Sequence, residues 1–174
     1  MKKWLKILIG IVATPVLLAG ILLLIYVLWN IQGVIEPFQR GNPDAKYKVL
    51  VASQGSEYKE SLTDELIKNI EADSIFISVI DVTGLESIDE KNWDAIVIIH
   101  TMQIHKMPKQ AMRFLEGMPD LNKVMLVSTS GAGDDQVDYF EVDAVSTVSR
   151  KSLIPRVVEL VIPKLEEDLG IALR

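Results

Sequence analysis

Residues Ile7 to Ile31 carry no charged side chain, and apolar residues surround the whole of any helix they form. As a helix these twenty-five residues extend about 37 Å, enough to cross a hydrocarbon core of about 30 Å. A buried globular helix would show a polar face. A cleavable signal peptide would show a shorter apolar core and a small-x-small cleavage site. Tyr26, Trp29, Asn30 and Gln32 instead suit a membrane–water interface. The pattern predicts an N-terminal transmembrane signal anchor over 1–31, crossing the lipid bilayer through residues 7–31. Lys2, Lys3 and Lys6 precede it, and the first basic residue behind it is Arg40. The positive-inside rule then makes this a single-pass protein of the cell membrane with an extracytoplasmic C-terminal domain.

Residues 32–46 include Gly33, Pro37, Gly41, Asn42 and Pro43, which suit an extended linker. Behind it the pattern changes period. Val49–Ala52 is a short apolar run ending in small polar residues, and Leu62, Leu66, Ile67 and Ile70 follow at helical spacing. Ser56 is placed to cap that helix. Ile75–Asp81 is β-branched, Ala95–Ile99 is continuously apolar, and Lys123–Val127 and Val142–Val148 complete five strands. Helices are predicted over Met107–Met118 and from about Ser152 to Leu169, the second kinked at Pro163. The connection Val82–Trp93 leaves little room for a helix. Alternating strands and helices predict a three-layer α/β domain over 47–174, with a doubly wound five-stranded parallel sheet preceded by one transmembrane helix.

Charge and composition narrow the chemistry. The chain has a net charge of −6. Residues 47–174 hold 13 basic and 22 acidic residues, a balance of −9. Such a surface argues against nucleic acid and anionic lipid as partners of the domain. The chain has no cysteine, so disulfides, thiol catalysis and cysteine-based metal sites are excluded.

In a parallel sheet the strand ends at one edge all face the same way. Here they carry Ser53, Gln54, Gly55 and Ser56, then His100 and Thr101, then Ser128, Thr129, Ser130 and Gly131. Gly133 and Asp134 follow in the same loop. Hydroxyls, glycines and a helix amino terminus suit an anion, although ordinary turn chemistry also places them there.

The order of elements over 47–174 resembles the flavodoxin family, whose sheet order is 2-1-3-4-5. Ser53-Gln54-Gly55-Ser56-Glu57 stands where the family has its phosphate loop. Asp94–Thr101 is similar to the strand entering its first flavin-flanking loop, and Thr129–Asp134 to the start of its second. The resemblance implies FMN as cofactor, with phosphate on Ser53–Ser56 and the ring between 100–107 and 130–139. It also implies electron transfer to a redox partner protein. The chain departs from the family form Ser/Thr-x-Thr-Gly-x-Thr, puts Glu57 near the phosphate position, and has no Trp or Tyr between His100 and Met107. The second reading is a flavin-free module using the same edge for a small anion or a partner protein.

Other chemistry is less well specified. His100 and His105 with Asp134 or Asp135 match no established metal spacing. Ser130, His100 and Asp134 lack the Gly-x-Ser-x-Gly elbow of a hydrolase. Gly131-Ala132-Gly133 lacks the third glycine and the helix of a dinucleotide fingerprint.

Overall fold

The computed structural model describes residues 3–30, 33–135 and 137–173, and the side chains of these except at 5–10 and 28–30. It divides into two compact units, 1–32 and 33–174.

The first unit is the helix α1 (Lys3–Asn30). Its described side chains from Ile11 to Val27 are exposed. Counted over described residues, no helix is long and apolar enough to cross a membrane. The spanning helix expected at 7–31 is therefore not shown, and residues 7–10 and 28–31 of it lie outside the described side chains.

The second unit is built on a sheet of seven strands, not five. β1 (Gly33–Val34) and β2 (Phe38–Arg40) come from the segment read as linker. β3 (Tyr47–Gly55), β4 (Ile75–Asp81), β5 (Ala95–Thr101), β6 (Val124–Thr129) and β7 (Asp143–Thr147) follow. The main path runs β2-β4-β3-β5-β6-β7. From β4 to β7 every pairing is parallel. Those five strands therefore stand in the order 2-1-3-4-5, the flavodoxin-like arrangement of a doubly wound sheet. β2 adds an antiparallel edge beside β4. β1 pairs antiparallel with the far end of β3.

The alternation of side chains along the strands makes the three layers. Val49 and Val51 face α2 (Glu57–Ile70) and α4 (Ile154–Leu169), with Leu62, Leu66, Ile70, Val161 and Leu165 buried against them. Leu50 and Ala52 face the other side, where Ala111 and Leu115 of α3 (Lys109–Gly117) cover them with Leu85. Each Leu or Ile so buried stabilises the fold by about 1.5–3 kcal/mol. The connection Val82–Ser87 and Glu90–Asn92 is two 3-10 turns, capped by Asp81 and Asp89. Pro163 lies inside α4, which continues through it to Leu169.

Candidate functional site

β3 does not stop where its apolar run stops. Ser53, Gln54 and Gly55, expected as a turn, are its last three residues. β4 and β5 pair with β3 as far as Ser53. Beyond it β1 takes over, with Gly33 opposite Gly55 and Val34 opposite Gln54. The two glycines allow this approach. A Cβ on Gly55 would lie 2.6 Å from the carbonyl carbons of Gly33 and Val34. The arm is anchored by buried Ile35, whose amide donates to Asp81 Oδ2 at 3.1 Å. Asp81 Oδ1 accepts from the amide and hydroxyl of Thr83. The first three residues of the expected phosphate loop are therefore strand, with a second strand paired onto the last two.

Only Ser56 keeps its expected place, as N-cap of α2, accepting from the Lys59 amide at 3.3 Å. Ser53 is buried and donates its hydroxyl to the Gln54 carbonyl. Gln54 turns its side chain inward, where Oε1 accepts from the Thr101 amide at 2.7 Å.

His100, Thr101 and Thr129 lie within β5 and β6 rather than in loops. In the parallel register His100 faces Ser128 and Thr101 faces Thr129. His100 Nε2 lies 3.0 Å from Ser128 Oγ, and the two threonine hydroxyls are 3.0 Å apart. His100 is fully buried, and its Nδ1 makes no hydrogen bond of normal geometry. Burial pushes its pKa down to about 4; the Thr101 backbone opposes this shift and the nearby Lys59 charge adds to it. The imidazole is neutral at pH 7.

Lys59 was not expected here. It sits in the first turn of α2 but is buried, with Nζ 3.5 Å from Ser56 Oγ. Burial lowers its pKa to about 8. The sequence held a signal for it, since Lys59, Leu62, Leu66 and Ile70 share one helical face. Tyr58 beside it is also buried, and burial raises its pKa while Thr147 opposes the shift. The Tyr58 hydroxyl makes no hydrogen bond of normal geometry, so that opposition is weak.

What remains exposed at the edge is two loops. Gln103 and Lys106 pair across a two-residue turn formed by Ile104 and His105. Both turn residues have positive φ, 52° and 59°. The turn stands on buried Met102 and Met107. His105 Nδ1 lies 2.5 Å from Asp135 Oδ1, and the Met107 amide donates to the Tyr139 hydroxyl at 3.3 Å. The loops expected to hold a ring between them are thus fastened to each other.

The second loop contains Ser130, Gly131, Gly133 and Asp134. Ser130 Oγ accepts from the Gly133 amide at 2.8 Å. Gly133 has φ +78°, and a Cβ there would meet Val148 Cγ1 at 2.8 Å. Gly131 and Asp134 are exposed. The hydrolase grouping is not assembled, because His100 bonds Ser128 and Ser130 closes its own turn. Among the described residues no group of three or more His, Asp or Glu is arranged to hold a metal.

The strand order and layers define a flavodoxin-like α/β domain with an altered carboxyl-end edge. No family model matches the chain, and no curated protein matches it. Among solved structures it is similar to the azoreductase from Bacillus anthracis str. Sterne, at 10% identity and a TM-score of 0.41. The match covers 71% of this chain and 97% of that one. A likeness of this degree bears on neither ligand nor activity.

Proposed function

We propose that this chain is a flavin-free binding module of flavodoxin-like topology, held at a lipid bilayer, that recognises a partner protein through the loops following β5 and β6. One observation carries the reading: Gly33 and Val34 pair onto Gly55 and Gln54, where a flavin phosphate would need free amides. The hydroxyls and imidazole at that edge, on Ser53, His100 and Thr129, are buried. The groups offered to solvent there include Ile104, His105, Lys106, Gly131 and Asp134.

The second reading is an FMN-binding electron carrier with a redox partner, favoured by the 2-1-3-4-5 strand order. An absorbance spectrum of the purified full chain, with mass spectrometry of co-purifying small molecules, separates the two. The binding module shows no flavin bands and releases no FMN. A yellow protein releasing one FMN per chain would establish the carrier instead.

Tethering is supported by the charge-free run Ile7–Ile31 and by exposed apolar side chains such as Leu17 and Leu22 on α1. The basic residues Lys2, Lys3 and Lys6 favour an extracytoplasmic domain. The full chain then resists alkaline carbonate extraction, and protease added to intact cells cleaves the domain. Release by carbonate would rule out a spanning anchor, and protection in intact cells would reverse the orientation.

A further inference from the structure

We propose that the carboxyl-end rim of the sheet rests on the lipid bilayer, with Val34 and Ile104 dipped into the headgroup layer. This rests on the tethering proposed above. It deepens the binding-module reading, because it confines the partner of the loops to proteins that reach the membrane surface.

The length of chain between anchor and fold selects the bilayer as the occupant. The charge-free run ends at Ile31, and β1 begins at Gly33. Two Cα–Cα steps span at most about 8 Å, whatever their direction. The headgroup layer on each side of a bilayer is itself about 5–7 Å thick. An extended spacer over 32–46 would let the domain stand about 50 Å away, but Gly33 already belongs to the folded unit. β1 pairs with Gln54 and Gly55 at the carboxyl end of β3. The chain from the anchor therefore enters the domain at this rim. The opposite end of the sheet lies about 20 Å from it along the seven residues of β4.

Exposed apolar side chains gather at the same rim. Among the described residues of the second unit, the large apolar side chains left exposed are Val34, Ile104, Tyr139 and Leu160. Val34 is on β1, Ile104 on the turn after β5, and Tyr139 on the loop after β6. Leu160 alone of the four lies elsewhere, on α4. Val34 is 70% exposed and Ile104 85%. A scattered apolar residue needs no explanation, but three on one rim at the point of attachment do. Ile104 also holds a left-handed backbone, which a β-branched residue adopts only at a cost, so it is not there to make the turn. Tyrosine at this level suits a membrane–water interface. The charges around these tips are mixed, with Lys106 and Lys109 exposed beside Asp134, Asp138 and Glu141. Residues 47–174 balance to −9, which disfavours anionic lipid. A zwitterionic surface met through apolar tips fits this rim.

The chain has no cysteine, so a single introduced cysteine reports one position. The test uses the full chain as Leu17→Cys, Ile104→Cys and Ser74→Cys, each labelled with a nitrobenzoxadiazole fluorophore. Ser74 is exposed and directly precedes β4, at the opposite end of the sheet. Each chain is reconstituted in phosphatidylcholine vesicles with no other protein present, and doxyl-labelled phosphatidylcholine is the quencher. The expected result is strong quenching at 17, emission at least halved at 104, and no change at 74. Quenching at 17 without quenching at 104 overturns this inference, leaves the tether intact and frees the rim for a partner away from the membrane. Equal quenching at 104 and 74 also overturns it, since the domain would then touch lipid without a preferred face. No quenching at 17 overturns the tethering reading and this inference with it.

Discussion

Gly55→Ala is the sharpest perturbation available, because it adds one carbon at the point where β1 meets β3. The new Cβ would lie 2.6 Å from two backbone carbons and 2.7 Å from the Val34 nitrogen. An ordinary contact is about 3.5–4.0 Å, so the arm must retreat by about 1 Å, and backbone cannot rotate aside. No positive φ is involved at Gly55, so the effect is steric and not conformational. If the arm stays, overpacking costs about 1–3 kcal/mol. If it leaves, the chain loses the burial of Ile35, about 1.5–3 kcal/mol, and the Ile35–Asp81 hydrogen bond, about 1 kcal/mol. The first route costs about 1–3 kcal/mol and the second about 2.5–4 kcal/mol; the cheaper one sets the loss, roughly 3–10 °C in melting temperature for a unit of this size. Urea or thermal denaturation reads the stability, and amide exchange at Ile35 and Gln54 reads the arm. Gly33→Ala has a milder effect, since its Cβ would meet the Gly55 oxygen at 3.0 Å. Gly55→Ala at parental stability, with the Ile35 amide still protected, would refute the closed arrangement of β1 on β3.

Three other perturbations follow from buried or strained groups. Lys59 titrates near 8 when folded and near 10.5 when unfolded. The unfolded chain therefore binds more protons between those values, and stability rises with pH across that window. Below pH 8 the full penalty of about 3 kcal/mol applies. Lys59→Met is expected to stabilise the fold at pH 7 by about 1–2 kcal/mol, net of lost polar contacts. That gain shrinks toward pH 10.5 in a denaturation series; a destabilised variant at pH 7 would contradict it. His100 has a folded pKa of about 4 against 6.5 unfolded, so its contribution is lost as pH falls from 6.5 to 4, by about 3 kcal/mol in all. His100→Gln should flatten the melting-temperature curve in that range, and parallel curves would count against a neutral buried imidazole. Ile104→Gly relieves the left-handed strain and is expected to raise stability by about 0.5–1 kcal/mol. A fall of that size by calorimetry would mean that Ile104 serves this fold.

The central strands were legible because they are runs of β-branched and aliphatic residues between turn signals. Ile75–Asp81 matches its expected bounds, and β5, β6 and β7 differ only at their ends. Their parallel order followed from the alternation with helices. The altered edge was not legible, for two physical reasons. β1 is two residues long, too short to show a period, and it forms only because β3 offers an unpaired end. Ser53, Gln54 and Gly55 have turn-like composition, and tertiary pairing overrode that preference. The one trace in the sequence was a pair of glycines, Gly33 and Gly55, at the points of closest backbone approach. Burial of Lys59 and the His100–Ser128 contact depend on which strand ends meet. A residue list places His100 with Ser130, whereas the register places it with Ser128.

Fluorescence titration of FMN with the purified full chain tests the closed end of β3 most directly. The closed arrangement predicts that flavin emission stays constant as protein is added to a large excess. Saturable quenching at one flavin per chain, abolished by a bulky residue at position 55, would contradict it.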